Sequence, residues 1–166
     1  WTSIENYINQ VKEISQVLIQ QNSENKQIYE ENTEKYIKDL EKVEKQYEEI
    51  SQELNGQKAI CLNEALEYLA KDIKLKYISL HTDHDENSMS AESIKNIINK
   101  MNTENIKIIL IGKDDSIKNA EILANETNAK IYKLDTVLTG ATDKSAYIDA
   151  ANRNLEVLKS VLGDEK

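Results

Sequence analysis

The sequence predicts an α/β fold: a four-stranded, mostly parallel sheet with helices on both faces, preceded by a helical segment that includes a long backbone helix. Two observations predict it, and a third narrows the alternatives. Apolar residues recur at helical spacing through the first third of the chain. From Lys58 the rhythm changes to short apolar runs alternating with helical stretches, the pattern of strands joined by crossover helices. Proline is absent and glycine occurs only four times in 166 residues, which excludes collagen-like and proline-rich linker classes.

Ser3 is a suitable N-cap for the first helix, with Asn6 at the third helical position. Ile4, Ile8, Val11, Ile14 and Leu18 then recur at helical spacing, and Asn22-Ser23-Glu24-Asn25 interrupts them as a polar turn. The second helix carries Tyr29, Tyr36, Leu40, Val43, Tyr47, Ile50 and Leu54 on one stripe and ends near Asn55-Gly56. Glu41, Lys42, Glu44 and Lys45 mark its charged side. A coiled coil would want Leu or Ile where these tyrosines stand, so the stripe is expected to pack against the rest of the same chain. Residues 1–56 therefore read as an N-terminal helical segment, and residues 57–166 as an α/β lobe.

In that lobe Ala59-Ile60-Cys61-Leu62 reads as a buried strand, Ala65 to Lys71 as a helix and Tyr77-Ile78-Ser79-Leu80 as the next strand. A polar segment from His81 leads to a helix capped by Ser90, with Ile94, Ile97, Ile98 and Met101 on its apolar face. Ile106 to Ile111 is the strongest strand, followed by a helix from Ser116 to Thr127. Ala129 to Leu134 is the fourth strand, and Lys144 to Leu162 the last helix. Crossovers should be right-handed, and ligand sites in such sheets lie beyond the carboxyl ends of the strands. Four segments therefore matter: the ones beginning at Asn63, His81, Gly112 and Asp135.

Thirty acidic residues against 21 basic ones give a formal charge of -9, which argues against nucleic acid as a partner because phosphate binding needs a basic patch. No apolar run is long enough to span a membrane. The single cysteine, Cys61, excludes an internal disulfide and any multi-cysteine metal site. It lies in an apolar strand, where a buried inert thiol is expected. No glycine-flanked serine elbow occurs, and no nucleophile, acid and base converge at adequate spacing, so the protein is not read as an enzyme.

His81, Asp83, His84, Asp85 and Glu86 form the most obvious cluster of metal-ligating side chains, and both histidines of the chain lie in it. The alternative is a solvated acidic loop, since adjacent side chains of an extended segment point in opposite directions. Asp135 directly follows a strand, where a carboxylate either binds a ligand or accepts backbone N–H bonds in a turn. Gly112-Lys113-Asp114-Asp115-Ser116 lacks both the Walker and the dinucleotide glycine patterns, and Ser116 as an N-cap explains it more simply.

Several segments, among them Asn63 to Ala70, Ser88 to Ile94, Glu126 to Lys130 and Leu134-Asp135, resemble the metal-binding substrate-binding proteins of zinc/manganese ABC transporters, a family that includes the adhesion lipoproteins. Trp1-Thr2-Ser3, the Asn22–Asn25 break and the long second helix match that family's order. Asn63-Glu64-Ala65-Leu66-Glu67-Tyr68-Leu69-Ala70 stands where it has His-x-Ala-aromatic-x-Tyr-(Leu/Phe)-Ala, and Ser88-Met89-Ser90-Ala91-Glu92-Ser93-Ile94 where it has Glu-Pro-Ser-x-x-(Glu/Gln)-Leu. Glu126-Thr127-Asn128-Ala129-Lys130, Leu134-Asp135 and Tyr147 through Asn154-Leu155 complete the match.

The resemblance implies the C-terminal half of a protein with two α/β lobes joined by a long helix, one metal ion lying in the cleft. Of the family's ligands, the first histidine falls just before Trp1 or in an N-terminal lobe. The second corresponds to Asn63, the third to Ser88, and only the aspartate, Asp135, is retained. Glu86 and His84 (or His81) are further candidates, and Asn63 a weak oxygen donor. An oxygen-rich set of this kind suits Mn²⁺ or Ca²⁺ better than Zn²⁺. The expected function is an extracytoplasmic solute-binding protein of a metal-type ABC importer, or one lobe of it, binding a divalent cation weakly or not at all through this lobe. Its partners would be a membrane permease and an N-terminal lobe, and its place the extracellular face or periplasm, with a lipid anchor. The start at Trp1, without an initiator Met, leads to the expectation of a mature or truncated chain. The competing expectation is a surface, adhesion-like module that keeps the scaffold without the metal and binds another protein.

Overall fold

A computed structural model describes residues 1–80 and 90–163. Helix α1 (Ile4–Gln21) starts at Ser3, whose hydroxyl accepts the Asn6 N–H at 3.3 Å. Helix α2 (Lys26–Leu54) returns alongside it. The α1 stripe is not the expected one throughout. Ile4 and Ile8 are buried, but Ile14 and Leu18 are 60% and 43% exposed, while Ser15 is buried and accepts a 2.8 Å bond from the Thr33 hydroxyl. The seam runs through residues 4, 8, 11 and 15, the alternating four-three steps of two helices lying side by side, and Ile14 falls one position off it.

Leu40, Val43, Tyr47, Ile50 and Leu54 of α2 are buried, as their spacing predicts. Gly56 then adopts φ +85°, a left-handed conformation in which glycine has no Cβ penalty. The α2 stripe packs within the chain rather than in a coiled coil: it shares one core with α1 and the sheet, and the Tyr47 hydroxyl donates to the Ala151 carbonyl at 2.8 Å.

Strands β1 (Lys58–Cys61), β2 (Lys76–Ser79), β3 (Ile108–Gly112) and β4 (Lys130–Leu134) form a sheet in the order β2-β1-β3-β4. Every pairing is parallel, so the expected "mostly parallel" sheet is wholly so among the described residues. Side chains alternate between its faces. Ala59, Cys61, Ile108, Leu110 and Leu134 meet α1, α2, α3 (Glu67–Asp72) and α6 (Ala146–Gly163). Ile60, Ile109 and Ile111 meet α4 (Ala91–Glu104) and α5 (Lys118–Thr127). The step from β1 to β2 runs opposite to the later steps and uses the opposite face, which keeps one hand for every crossover. The reversal leaves a crevice beyond the ends of β1 and β3, the topological switch point.

Several boundaries shift by a residue or two, and two helix starts differ in kind. Helix α3 is preceded by a single 3-10 turn, Glu64–Leu66, and α5 begins at Lys118 with no side-chain cap. Ser116 is therefore not the N-cap its position suggested. Helix α4 does start at the predicted cap: the Ser90 hydroxyl accepts the Ser93 N–H at 3.1 Å. Asn105 and Asn128 close α4 and α5 at φ +51° and +52°, which asparagine tolerates better than most residues. Asn128 thereby occupies the place of the glycine in the Glu-Thr-Gly-Ala-Lys pattern.

Candidate metal crevice at the strand ends

Asp135 leaves the end of β4 with its side chain only 3% exposed. Its backbone N–H donates to the Asn154 Oδ1 at 2.6 Å, and its carbonyl accepts the Asn154 Nδ2–H at 2.8 Å. Asn154 on α6 thus clamps the peptide on both sides. The carboxylate is equally engaged. Oδ1 accepts the Val137 N–H at 2.8 Å, and Oδ2 accepts Lys113 Nζ at 2.8 Å and Arg153 Nη2 at 3.0 Å. Burial pushes this carboxyl up, but the bonds from Lys113, the Val137 N–H and Arg153 outweigh it and hold the group below the usual aspartate range.

Lys113 reaches Asp135 because β3 and β4 end in register. Gly112 pairs with Leu134, and the Lys113 N–H continues the ladder to the Leu134 carbonyl at 2.8 Å. The two residues beyond that pair, Lys113 and Asp135, then stand side by side. Arg153 comes from α6, one residue before the clamping Asn154, and is the only arginine of the chain.

Asn63 follows β1, two residues after Cys61, whose thiol donates to the Asn63 carbonyl at 3.3 Å. Its side-chain amide is committed twice. Oδ1 accepts the Ala65 N–H at 2.9 Å, and Nδ2 donates to Asp115 Oδ2 at 2.8 Å. The same Asp115 oxygen accepts the Gly112 N–H at 2.8 Å. A Cβ on Gly112 would lie 2.6 Å from it, so only glycine allows the carboxylate to fold back there. Asn63 and Asp135 are therefore each tied to the segment after β3, Asn63 through Asp115 and Asp135 through Lys113.

Trp1 and Thr2 close one side of the crevice. The indole N–H donates to the Thr136 carbonyl at 2.9 Å, and the Thr2 hydroxyl donates to the Ala65 carbonyl. Tyr147 donates to the Trp1 carbonyl at 2.7 Å and stacks on Tyr7 with ring centroids 3.5 Å apart. These aromatic rings, with Tyr36 and Leu138, wall an open groove of about 510 Å³.

His81, His84, Glu86 and Ser88 lie outside the described residues. Among the described residues no group of three or more His, Cys, Asp and Glu side chains is placed to hold a metal ion. Asn63 and Asp135 alone do not make a coordination shell, and their strongest acceptor positions already have partners. Sequence reasoning missed the two cations on Asp135. Lys113 was visible only as part of a poor phosphate motif, and the single arginine beside the Asn154-Leu155 match was the one available signal.

Residues 1–161 match the family described as zinc-uptake complex component A, periplasmic. The high-affinity zinc uptake system protein ZnuA of Bacillus subtilis (strain 168) is 31% identical over 158 residues, 92% of this chain and 49% of that protein. The chain thus spans about half the length of this curated relative. Among solved structures, the metal-dependent lipoprotein YcdH of Bacillus subtilis is 29% identical with a TM-score of 0.77, over 96% of this chain and 62% of that one. FpvC from Pseudomonas aeruginosa in complex with a Ni²⁺ ion shares the fold at a TM-score of 0.86 and 20% identity, over 99% of this chain and 62% of that one. A mutant of the laminin-binding adhesin of Streptococcus agalactiae does so at 0.82 and 23%, over 98% and 61%. The order β2-β1-β3-β4, the long α2 and the aspartate at the end of β4 are features of a chain that belongs to the zinc-uptake component A family of metal-binding ABC-transporter substrate-binding proteins.

Proposed function

We propose that this chain is the C-terminal lobe, with its backbone helix, of an extracytoplasmic solute-binding protein that serves a metal-type ABC importer. In this reading residues 1–56 form the helical segment and residues 57–166 the lobe. It catalyses no reaction. It presents one wall of a cleft that captures a divalent cation and hands it to a membrane permease, with a second lobe forming the other wall and a lipid anchor holding the protein at the membrane surface. The cation is Mn²⁺ or Zn²⁺, and Asp135 is the ligand this lobe contributes. Asn63, His84 and Glu86 are the remaining candidates. Trp1, bonded to Thr136, supports this reading, because it ties the segment before α1 to the residue that follows Asp135.

The observation that carries the reading is the placing of Asp135 at the end of β4 in the crevice, with its peptide clamped by Asn154. The engagement of its carboxylate by Lys113 and Arg153 supports weak or no binding through this lobe alone. That same engagement favours the second reading, a surface interaction module that retains the scaffold without the metal. Calorimetric titration of metal-free protein with Mn²⁺ and with Zn²⁺, beside Asp135→Ala, separates the two. Saturable one-to-one binding that disappears in the variant supports the receptor. Heat that survives the substitution supports the module.

A further inference from the structure

We propose that Lys113 is a resident counter-cation of the crevice, a residue that sets how strongly a divalent cation must interact with Asp135 before it can bind. The inference rests on the reading of Asp135 as this lobe's cation ligand. A carboxylate offers about four lone-pair positions. Three of them are filled here, two on Oδ2 by Lys113 and Arg153 and one on Oδ1 by the Val137 N–H. A Zn²⁺ ion would sit roughly 2.0–2.2 Å from a carboxylate oxygen, inside the 2.8 Å separation of the ammonium from Oδ2. Ion and ammonium cannot share that side of the carboxylate, and their like charges repel.

Lys113 matters more than Arg153 for two reasons. Its side chain is 35% exposed against 59% for Arg153, so water screens its charge less. Its backbone is also fixed to β4 through the Leu134 carbonyl, so the ammonium is delivered to Asp135 by the strand register. An incoming cation must take the remaining Oδ1 position against the charge of the ammonium or displace the lysine from Oδ2, and either route disfavours cations that interact weakly with a carboxylate.

The test titrates Mn²⁺ calorimetrically into the parent chain and into Lys113→Met, Lys113→Arg, Asp135→Asn and Lys113→Met/Asp135→Asn. Arg153 still pairs with Asp135 in Lys113→Met, and the circular dichroism spectrum verifies the fold of each variant. The expected result is binding at least tenfold tighter in Lys113→Met than in the parent, parent-like affinity in Lys113→Arg, and loss of the gain in the double variant. Equal saturable binding in parent and Lys113→Met, both sensitive to Asp135, overturns the counter-cation while leaving Asp135 as a ligand. Absence of binding in every variant overturns both. A gain that survives Asp135→Asn also overturns the inference, because the metal then binds elsewhere.

Discussion

Replacing Asp135 by Asn removes one charge from a buried site while preserving its shape. The amide can keep the Val137 N–H bond through its carbonyl oxygen, but it then turns an NH₂ group toward Lys113 and Arg153. A hydrogen bond to a charged group contributes about 1.5–3 kcal/mol when shielded. Exposed pairs contribute less, ~1 kcal/mol or under. Asp135 is shielded, but Lys113 and Arg153 are 35% and 59% exposed, so the two pairs together should be worth roughly 1–3 kcal/mol. For a chain of this size that is a fall in Tm of about 2–12 °C.

The pH dependence has a definite sign. Because the folded carboxyl lies below its ordinary value, its stabilisation is fully present above the unfolded aspartate value of about 3.9. It is lost as pH falls through the folded value. Thermal unfolding followed by circular dichroism should therefore show a gap between parent and Asp135→Asn at pH 7 that narrows progressively below about pH 4. A variant as stable as the parent at pH 7 would refute the reasoning. So would a gap that stays constant into acid.

Gly112→Ala should destabilise by about 1–3 kcal/mol through overpacking, since its Cβ meets the Asp115 carboxylate at 2.6 Å. In urea unfolding, adding Asp115→Ala should abolish most of that penalty, the mark of a direct contact. Tyr47→Phe removes the buried 2.8 Å bond to the Ala151 carbonyl and should lower the urea midpoint by an amount equivalent to about 1 kcal/mol, with the slope unchanged. Cys61 is fully buried and its thiol is pushed up to about 11, chiefly by burial. A thiol-reactive dye at pH 8 should therefore leave the native protein unmodified and react at once after unfolding.

The class of fold was legible because it depends on local periodicity. Leu40, Val43, Tyr47, Ile50 and Leu54 recur at helical spacing, and all are buried on one face of α2. Ile108 to Ile111 form a continuous apolar run because β3 is covered on both faces. Caps such as Ser3 and Ser90 were readable for the same reason, since a cap and its N–H partner lie within three residues. Where periodicity alone was used over a longer reach it erred: Ile14 belongs to the spacing of α1 but not to its seam, which α2 decides through Thr33 and Ser15.

Asp135 could be singled out as a polar residue at a strand end, but not what it touches. Lys113 lies 22 residues away and Arg153 lies 18 away. Only the parallel register of β3 with β4 and the packing of α6 bring them to one carboxylate. The chain by itself determined the sequence of helices and strands, the buried stripes and the candidate site's address at the carboxyl ends of the sheet, because each follows from neighbours in sequence. The tertiary structure alone decided that this acidic chain surrounds its crevice aspartate with two cations, because charge pairing acts through space and leaves no periodic trace in sequence.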